Sequence, residues 1–378
     1  MSIRASVTSD KANKDIDLLV NQEGNSTCSE CGKEEPTWAS LEYGVFICVH
    51  CSGVFRALSN SNLKAIRLED WDDVGVQIMK DNGNIKSNAV YEKEIPDCWV
   101  KPSPDSCLLL REQWIYAKYQ RKEFTEARNA LPSYLTGEKA GMLFKLKKQG
   151  DKWQPRWFIL DKTTLSMFLN REDKAPRHEI PVLQLNAIIN GNFGRMNSMQ
   201  LITRMDGRTR NIFVYAENGR EIIEWYCGIR AAKKHVIESK DPGIPRQVIL
   251  QELSEDFVKT GYLLKTPPGT MKFQKRYFVL DSHRLMYFNS SMDATPLGEI
   301  ILGTIADKFT IDEESLAGEY SFTLHTPFRD FPLIAESQEE KGQWVKAFKL
   351  VFEHIIDTVP MSPRARCSTY ELELQYSS

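Results

Sequence analysis

The chain has 378 residues, 42% of them apolar, which is too many for one small domain and too apolar for a disordered polymer. The net charge of −2 is unevenly spread: residues 1–136 carry 16 basic against 20 acidic side chains, residues 137–235 carry 18 against 10, and residues 257–357 carry 11 against 14. A basic middle between acidic neighbours points to one domain that meets an anionic surface. No apolar run approaches the ~18–20 residues of a membrane span, and the polar first 25 residues lack a secretory signal, so a soluble intracellular protein is expected.

Four of the eight cysteines form two C-x-x-C pairs near the start, Cys28 with Cys31 and Cys48 with Cys51, separated by 16 residues. Each C-x-x-C turn aims two thiolates at one point, and the spacing is that of a structural zinc site. Four thiolates close the tetrahedron, so one Zn²⁺ here would cross-link a loop-rich fold and leave no open position for water or substrate. A redox dithiol pair is the alternative. Cys98, Cys107, Cys227 and Cys367 have no such partners and read as buried or unreactive thiols.

The residues around the cysteines carry further information. Pro36-x-Trp38-Ala39-Ser40 and Gly44-Val45-Phe46-Ile47-Cys48 lie between the pairs, and Arg56 follows Cys51 after four residues. This resembles the Arf GTPase-activating protein family, whose pattern is C-x2-C-x16-C-x2-C-x4-R with W-A-S and G-[VI]-F-[IL]-C inside it, over residues 10–126. The resemblance implies that Arg56 is a catalytic finger supplied in trans to an Arf-family GTPase, and that the chain is an activator with no independent reaction of its own. Arginine suits that task because its planar, permanently charged fork can bridge two phosphate oxygens. A guanidinium supplied to a transferring γ-phosphoryl group is worth about 10³–10⁵ in rate.

This sequence has Phe55 where the family pattern has histidine, a short loop Ser59-Asn60-Ser61-Asn62, and Leu68-Glu69 in place of the leucine-aspartate step. The structural alternative for Arg56 is a surface arginine on a helix beginning near Ser52. Four-cysteine fingers also resemble GATA-type DNA-binding modules, but the acidic excess and the lack of a basic run after Cys51 argue against nucleic acid. Residues 105–123, with Leu109, Trp114 and Tyr119, read as an ordinary amphipathic helix. Residues 124–136 mark the exit from this module.

Two later segments then match at an offset of 120 residues. Gly141-Met142-Leu143-Phe144-Lys145 recurs as Gly261-Tyr262-Leu263-Leu264-Lys265, and Arg156-Trp157-Phe158-Ile159-Leu160-Asp161 as Arg276-Tyr277-Phe278-Val279-Leu280-Asp281. The strand around Leu165–Phe168 recurs around Leu285–Phe288, and Trp225 recurs at Trp344. The period is too long for a solenoid, so one domain occurs twice. Each copy begins with short β-branched and aromatic runs between turn residues and ends with helical spacing: Ile222, Trp225, Ile229 and Ala232, then Trp344, Phe348, Val351 and Phe352 behind a Ser337 cap. The expected fold is therefore multidomain α+β: a zinc-finger module followed by two small β-barrels, each closed by a C-terminal α-helix.

The copies resemble the pleckstrin homology (PH) domain, with its G-x-L-x-K opening strand, R-[WY]-F-x-L strand and tryptophan in the closing helix. The resemblance implies phosphoinositide binding between the first strands, at Lys145, Arg156 and Arg171 in the first copy and Lys265, Lys272, Arg276 and Tyr287 in the second. Lys147, Lys148, Lys152 and Lys275 lie nearby in sequence, while Gln154 and Gln274 occupy the leading basic position of the family's K/R-x-R. The order of modules looks like the Arf GAPs with dual PH domains. It implies a cytoplasmic protein, peripheral on plasma membrane or endomembranes with a nuclear pool left open, whose partners are an Arf-family GTPase and phosphoinositide headgroups. A non-catalytic, phosphoinositide-dependent adaptor of the same architecture is the alternative. Expected domains are 10–126, 137–236 and 257–357, with residues 236–256 as a separator carrying Pro242-Gly243 and Pro245, and 358–378 as a tail.

Overall fold

The computed structural model describes residues 2–58, 62–126, 130–147, 152–189, 193–205, 208–253, 257–266, 272–282, 284–302, 309–313 and 318–354. The expected tail, residues 59–61 of the short loop, Lys148 and Cys367 lie outside the described residues.

The first module opens with a helix that the sequence patterns did not announce, α1 (Ser2–Val20). Its stripe of Ala12, Ile16, Leu19 and Val20 is buried in one cluster with Phe46, Trp71, Val76 and Met79. A hairpin follows, β1 (Trp38–Ser40) and β2 (Val45–Ile47), turning at Gly44 with φ +64. Helix α2 (Val49–Phe55) leaves β2 directly with Cys48 at its N-cap, so it starts earlier than the Ser52 expected. Strand β3 (Leu63–Ala65) pairs antiparallel with β1, giving the order β2-β1-β3.

Helix α3 (Asp73–Asp81) is capped by Asp72, whose carboxylate accepts the Gly75 N–H at 2.7 Å. Helices α4 (Gly83–Tyr91) and α5 (Leu108–Ile115) complete the module. The helix expected over 105–123 is present as α5 followed by a π-helical turn at Tyr116–Gln120, but it is not ordinary amphipathic packing: its inner face holds Arg111 and Lys118 as well as the expected Trp114 and Tyr119.

The first barrel contains β4 (Glu138–Leu146), β5 (Trp153–Asp161), β6 (Thr164–Phe168), β7 (His178–Pro181), β8 (Leu185–Ile188), β9 (Ser198–Met205) and β10 (Arg208–Tyr215), closed by α6 (Gly219–Lys240). Helix α7 (Arg246–Leu253) occupies much of the segment expected to be a separator. The second barrel repeats the plan with β11 (Lys259–Lys265), β12 (Gln274–Leu280), β13 (Arg284–Phe288), β14 (Gly298–Ile301), β15 (Thr310–Asp312), β16 (Ser321–His325), β17 (Asp330–Ile334) and α8 (Gln338–His354).

The two sheets have the same order, β7-β6-β5-β4-β10-β9-β8 and β14-β13-β12-β11-β17-β16-β15, with every described pairing antiparallel. The repeated tryptophans are the plugs. Trp225 and Trp344 are both 0% exposed, edge-on to the repeated Phe158 and Phe278 at 6.2 and 6.4 Å. The expected Ser337 cap is present, its hydroxyl accepting the Glu340 N–H at 3.2 Å. Gly137, at φ +70, starts β4 so close to α6 that a Cβ would sit 2.9 Å from the Ala232 Cα.

The first module and the first barrel share one continuous apolar core, whereas the second barrel has its own. At the shared boundary Trp99 donates to the Tyr134 hydroxyl at 2.8 Å, and Arg230 of α6 donates to the Cys98 carbonyl at 2.7 Å. Asp97 bridges two cations, Lys234 and Arg246, each at 2.6 Å.

Candidate metal and anion sites

Two sites emerge, one in the first module and one at the mouth of the first barrel. In the first module the knuckle Cys28–Cys31 closes on itself through Gly32 N–H to Cys28 O at 2.9 Å, with Gly32 at φ +71. Cys48 and Cys51 lie on the N-cap and first turn of α2. The four sulfurs all lie within 4.8 Å of one another and all four residues are buried. Cys31 Sγ is 3.7 Å from Cys48 Sγ and 3.8 Å from Cys51 Sγ. A tetrahedron with metal–sulfur bonds of about 2.3 Å has edges of about 3.8 Å, so the donor set and its size fit Zn²⁺.

The surroundings suit a negatively charged tetrathiolate. Arg111 Nη1 donates to Cys51 Sγ at 3.5 Å, and its Nη2 is held by the carbonyls of Pro104 and Ser106 at 3.2 and 3.0 Å. Glu30, inside the first knuckle, is fully buried and accepts from Lys118 Nζ at 3.0 Å, Tyr119 Oη at 2.7 Å and Trp114 Nε1 at 3.2 Å. Lys118, also fully buried, further donates to Asn88 at 2.8 Å and Glu92 at 2.7 Å. This network fastens the knuckle to the π-helical turn. Sequence reading missed it because Glu30 and Lys118 are far apart in the chain and neither sits in a motif.

Arg56 is the first residue beyond α2, its N–H still donating to Ser52 O at 3.1 Å, and its side chain is exposed. The guanidinium carbon stands 4.6 Å from the centroid of the Trp38 ring. Phe55 points the other way. It is 0% exposed, 6.0 Å from the Tyr43 ring and 5.2 Å from the Tyr119 ring, so the departure from the family's histidine falls on the core side of the helix. Glu69 accepts the Ala65 N–H at 3.0 Å, while Leu68 is 88% exposed.

In the first barrel a cavity of about 210 Å³ opens among Lys145, Leu146, Gln154, Arg156, Met167, Leu169, Arg177 and His178. Of the expected residues, Lys145 and Arg156 line it, but Arg171 lies over the Trp157 ring at 5.1 Å, outside the lining. Gln154 has a structural role: its carbonyl accepts Arg156 Nη2 at 2.7 Å and orients that guanidinium. The electrostatics of the cavity are dominated by its cations. Burial, with Arg210 and Arg156 beside it, pushes the Lys145 ammonium down to about 8. Burial, Arg210, Lys145 and Arg177 likewise lower His178. Sequence reading missed Arg177, His178 and Arg210. The excess of cations over residues 137–235 was their only signal.

The second barrel places its matching residues differently. Lys265 is 5% exposed with its ammonium 3.4 Å from the centroid of the Tyr287 ring. The Tyr287 hydroxyl presses on Gly298, where a Cβ would stand 2.4 Å away. In the first barrel the corresponding pair is Met167 and His178, opposite one another in register. Arg276 is paired with Gln274 just as Arg156 is with Gln154. Lys272 is exposed, and Lys275 is engaged by Glu336.

Comparison with known proteins agrees with this division. The ArfGap family profile, described as a "GTPase activating protein for Arf", matches residues 13–128, and the PH domain profile matches 137–234 and 257–352. The Mus musculus protein "Arf-GAP with dual PH domain-containing protein 2" is 33% identical over 353 residues, covering 90% of this chain and 91% of that protein. The Homo sapiens protein of the same name is 33% identical over 356 residues, 91% and 92% of the two chains. The Arabidopsis thaliana "ADP-ribosylation factor GTPase-activating protein AGD12" is 39% identical over 109 residues, 28% of this chain and 32% of that protein.

Proposed function

The chain belongs to the family of Arf GTPase-activating proteins with dual PH domains, and from that premise we propose that it accelerates GTP hydrolysis by an Arf-family GTPase at phosphoinositide-bearing membranes. The GTPase supplies nucleotide, Mg²⁺ and water. This chain supplies Arg56, whose guanidinium stabilises charge developing on the transferring phosphoryl group. Cys28, Cys31, Cys48 and Cys51 would hold one Zn²⁺, which would supply a structural cross-link between the first knuckle and α2. Lys145 and Arg156 hold phosphates of an inositol headgroup in the first barrel. The chain thereby works as a peripheral membrane protein.

The observation that carries this reading is the placement of Arg56: backbone tied to the helix that starts at a cysteine of the thiolate cluster, side chain outside, with the altered Phe55 turned into the core. Hydrolysis of Arf-bound GTP, measured with and without phosphoinositide vesicles for the parent, Arg56→Ala and Arg156→Ala, tests it. Arg56→Ala is expected to remove stimulation by a factor of about 10³ or more on any vesicle, and Arg156→Ala to remove only the part that depends on phosphoinositide. Equal hydrolysis with parent and Arg56→Ala would overturn the finger assignment and leave an adaptor.

A further inference from the structure

Strand β10 has a short-paired edge of the kind that β17 also has in the second barrel, where only Ile334 opposite Leu264 and Leu333 opposite Lys265 pair with β11. Among the described residues its pairing with β4 covers only Val214 opposite Lys145 and Tyr215 opposite Phe144, and residues 209–213 show no partner strand on that side. An open edge of this kind frays or pairs elsewhere. Here the second barrel covers it. The Thr209 N–H donates to Glu299 Oε1 at 3.2 Å, and the Thr209 hydroxyl accepts Arg284 Nη1 at 2.8 Å. The Asn211 N–H donates to the Ala294 carbonyl at 2.8 Å, and its side-chain amide to the Asp293 carbonyl at 3.0 Å. Both residues are buried, and Arg284 is itself held by Asp281 at 2.8 Å.

Arg210 lies between them. Ile212 and Val214 point into the barrel and are buried, and side chains alternate along a strand, so Arg210 shares their face one alternation beyond Ile212, outside the residues that line the cavity. Its proximity is felt there, since it lowers both Lys145 and His178. Thr209 and Asn211 therefore fix the backbone on both sides of the arginine. The second barrel does this with Arg284, Asp293, Ala294 and Glu299.

We propose that the second barrel is a positioning element of the first barrel's phosphate site, capping the free edge of β10 so that Arg210 is held over the cavity lined by Lys145, Arg156 and His178. The inference rests on the reading of that cavity as a headgroup site. Besides any ligand of its own, the second PH domain then keeps one wall of the first domain's site in register.

The test uses the full chain with soluble inositol tetrakisphosphate in a calorimeter, and in parallel with phosphatidylcholine vesicles containing or lacking phosphatidylinositol trisphosphate. Arg284→Ala, in the second barrel, and Asn211→Ala, in the first, break the contact from opposite sides, so a folding defect in either one leaves the other. Each is expected to weaken the soluble ligand about fivefold or more, the lower range of site-to-site coupling, and to weaken vesicle binding in step. By reciprocity, the soluble ligand should slow hydrogen exchange of the Thr209 and Asn211 amides in the parent. Parent-like affinity for the soluble ligand in both variants overturns the proposal, including the case where only vesicle binding falls, which would make the second barrel a membrane contact in its own right. Lys145→Ala distinguishes the underlying reading: if it binds like the parent, the cavity is not the phosphate site and both readings fall. If it loses binding while the two contact variants do not, only the positioning role falls.

Discussion

The Arg56 guanidinium lies 4.6 Å from the centroid of the Trp38 ring, which joins the exit of α2 to the first strand of the module. A flexible exposed side chain is thereby restricted by a rigid aromatic on a neighbouring element, and a finger that is held in place loses less entropy on docking. Trp38→Leu is expected to lower activation of Arf GTP hydrolysis about three- to tenfold, corresponding to a cation–π contact of about 1 kcal/mol. Trp38→Phe should retain most of it. Unchanged zinc content in both variants, measured by metal analysis, would separate a positioning effect from loss of the fold.

Phe55 carries a different consequence. Because it sits fully buried between Tyr43 and Tyr119, restoring the family's histidine should damage stability rather than improve catalysis. Burying an imidazole without a prepared partner costs about 1–3 kcal/mol. Phe55→His should therefore unfold at lower temperature, while activation per folded molecule stays at the parent level.

Removal of metal should act unevenly along the chain. The thiolate cluster lies in the core that the first module shares with the first barrel, whereas the second barrel has a separate core. A chelator, or Cys51→Ala, is expected to unfold the first module and destabilise the first barrel with it. The second barrel should keep its own thermal transition, resolved by calorimetry. A single unchanged transition after chelation would count against zinc as the cross-link.

Headgroup binding should depend on alkaline pH through Lys145. Burial first, then Arg210 on β10 and Arg156 on β5, holds its ammonium down to about 8 in the free protein, and Arg177 and His178 around β7 line the same cavity. A bound phosphate raises that value, so below it the lysine is charged with or without ligand and affinity is flat with respect to this group. Above about pH 8 binding must take up a proton, and affinity falls by up to about tenfold per pH unit. Lys145→Arg should flatten the profile between about pH 8 and 10, because arginine stays protonated throughout. Calorimetry with soluble inositol phosphate in buffers of different ionisation heat measures the proton uptake directly.

The parts legible in the sequence were those set by local spacing. Two C-x-x-C turns can only converge their thiolates, and they do so at 3.7 and 3.8 Å. A repeat with glycine, arginine and tryptophan at fixed offsets can only be one fold made twice, and the two sheets have the same strand order. Arg56 stood out differently, through the resemblance to the Arf GTPase-activating protein family, whose pattern sets an arginine four residues beyond the last cysteine.

Only tertiary structure decided what depends on residues far apart in the chain. The Glu30–Lys118 pair, the turn of Phe55 toward Tyr43 and the orientation of Arg156 by Gln154 belong to packing, and no periodicity encodes them. Lys145 and Lys265 hold the same place in the repeat, yet one lines an open cavity and the other lies under Tyr287, because the opposing residues are Met167 and His178 in one barrel and Tyr287 and Gly298 in the other. The contact of Thr209 and Asn211 with the second barrel is of the same kind. Hydrogen bonds and buried charges depend on which surfaces meet, and that is settled when whole domains pack rather than along any single element.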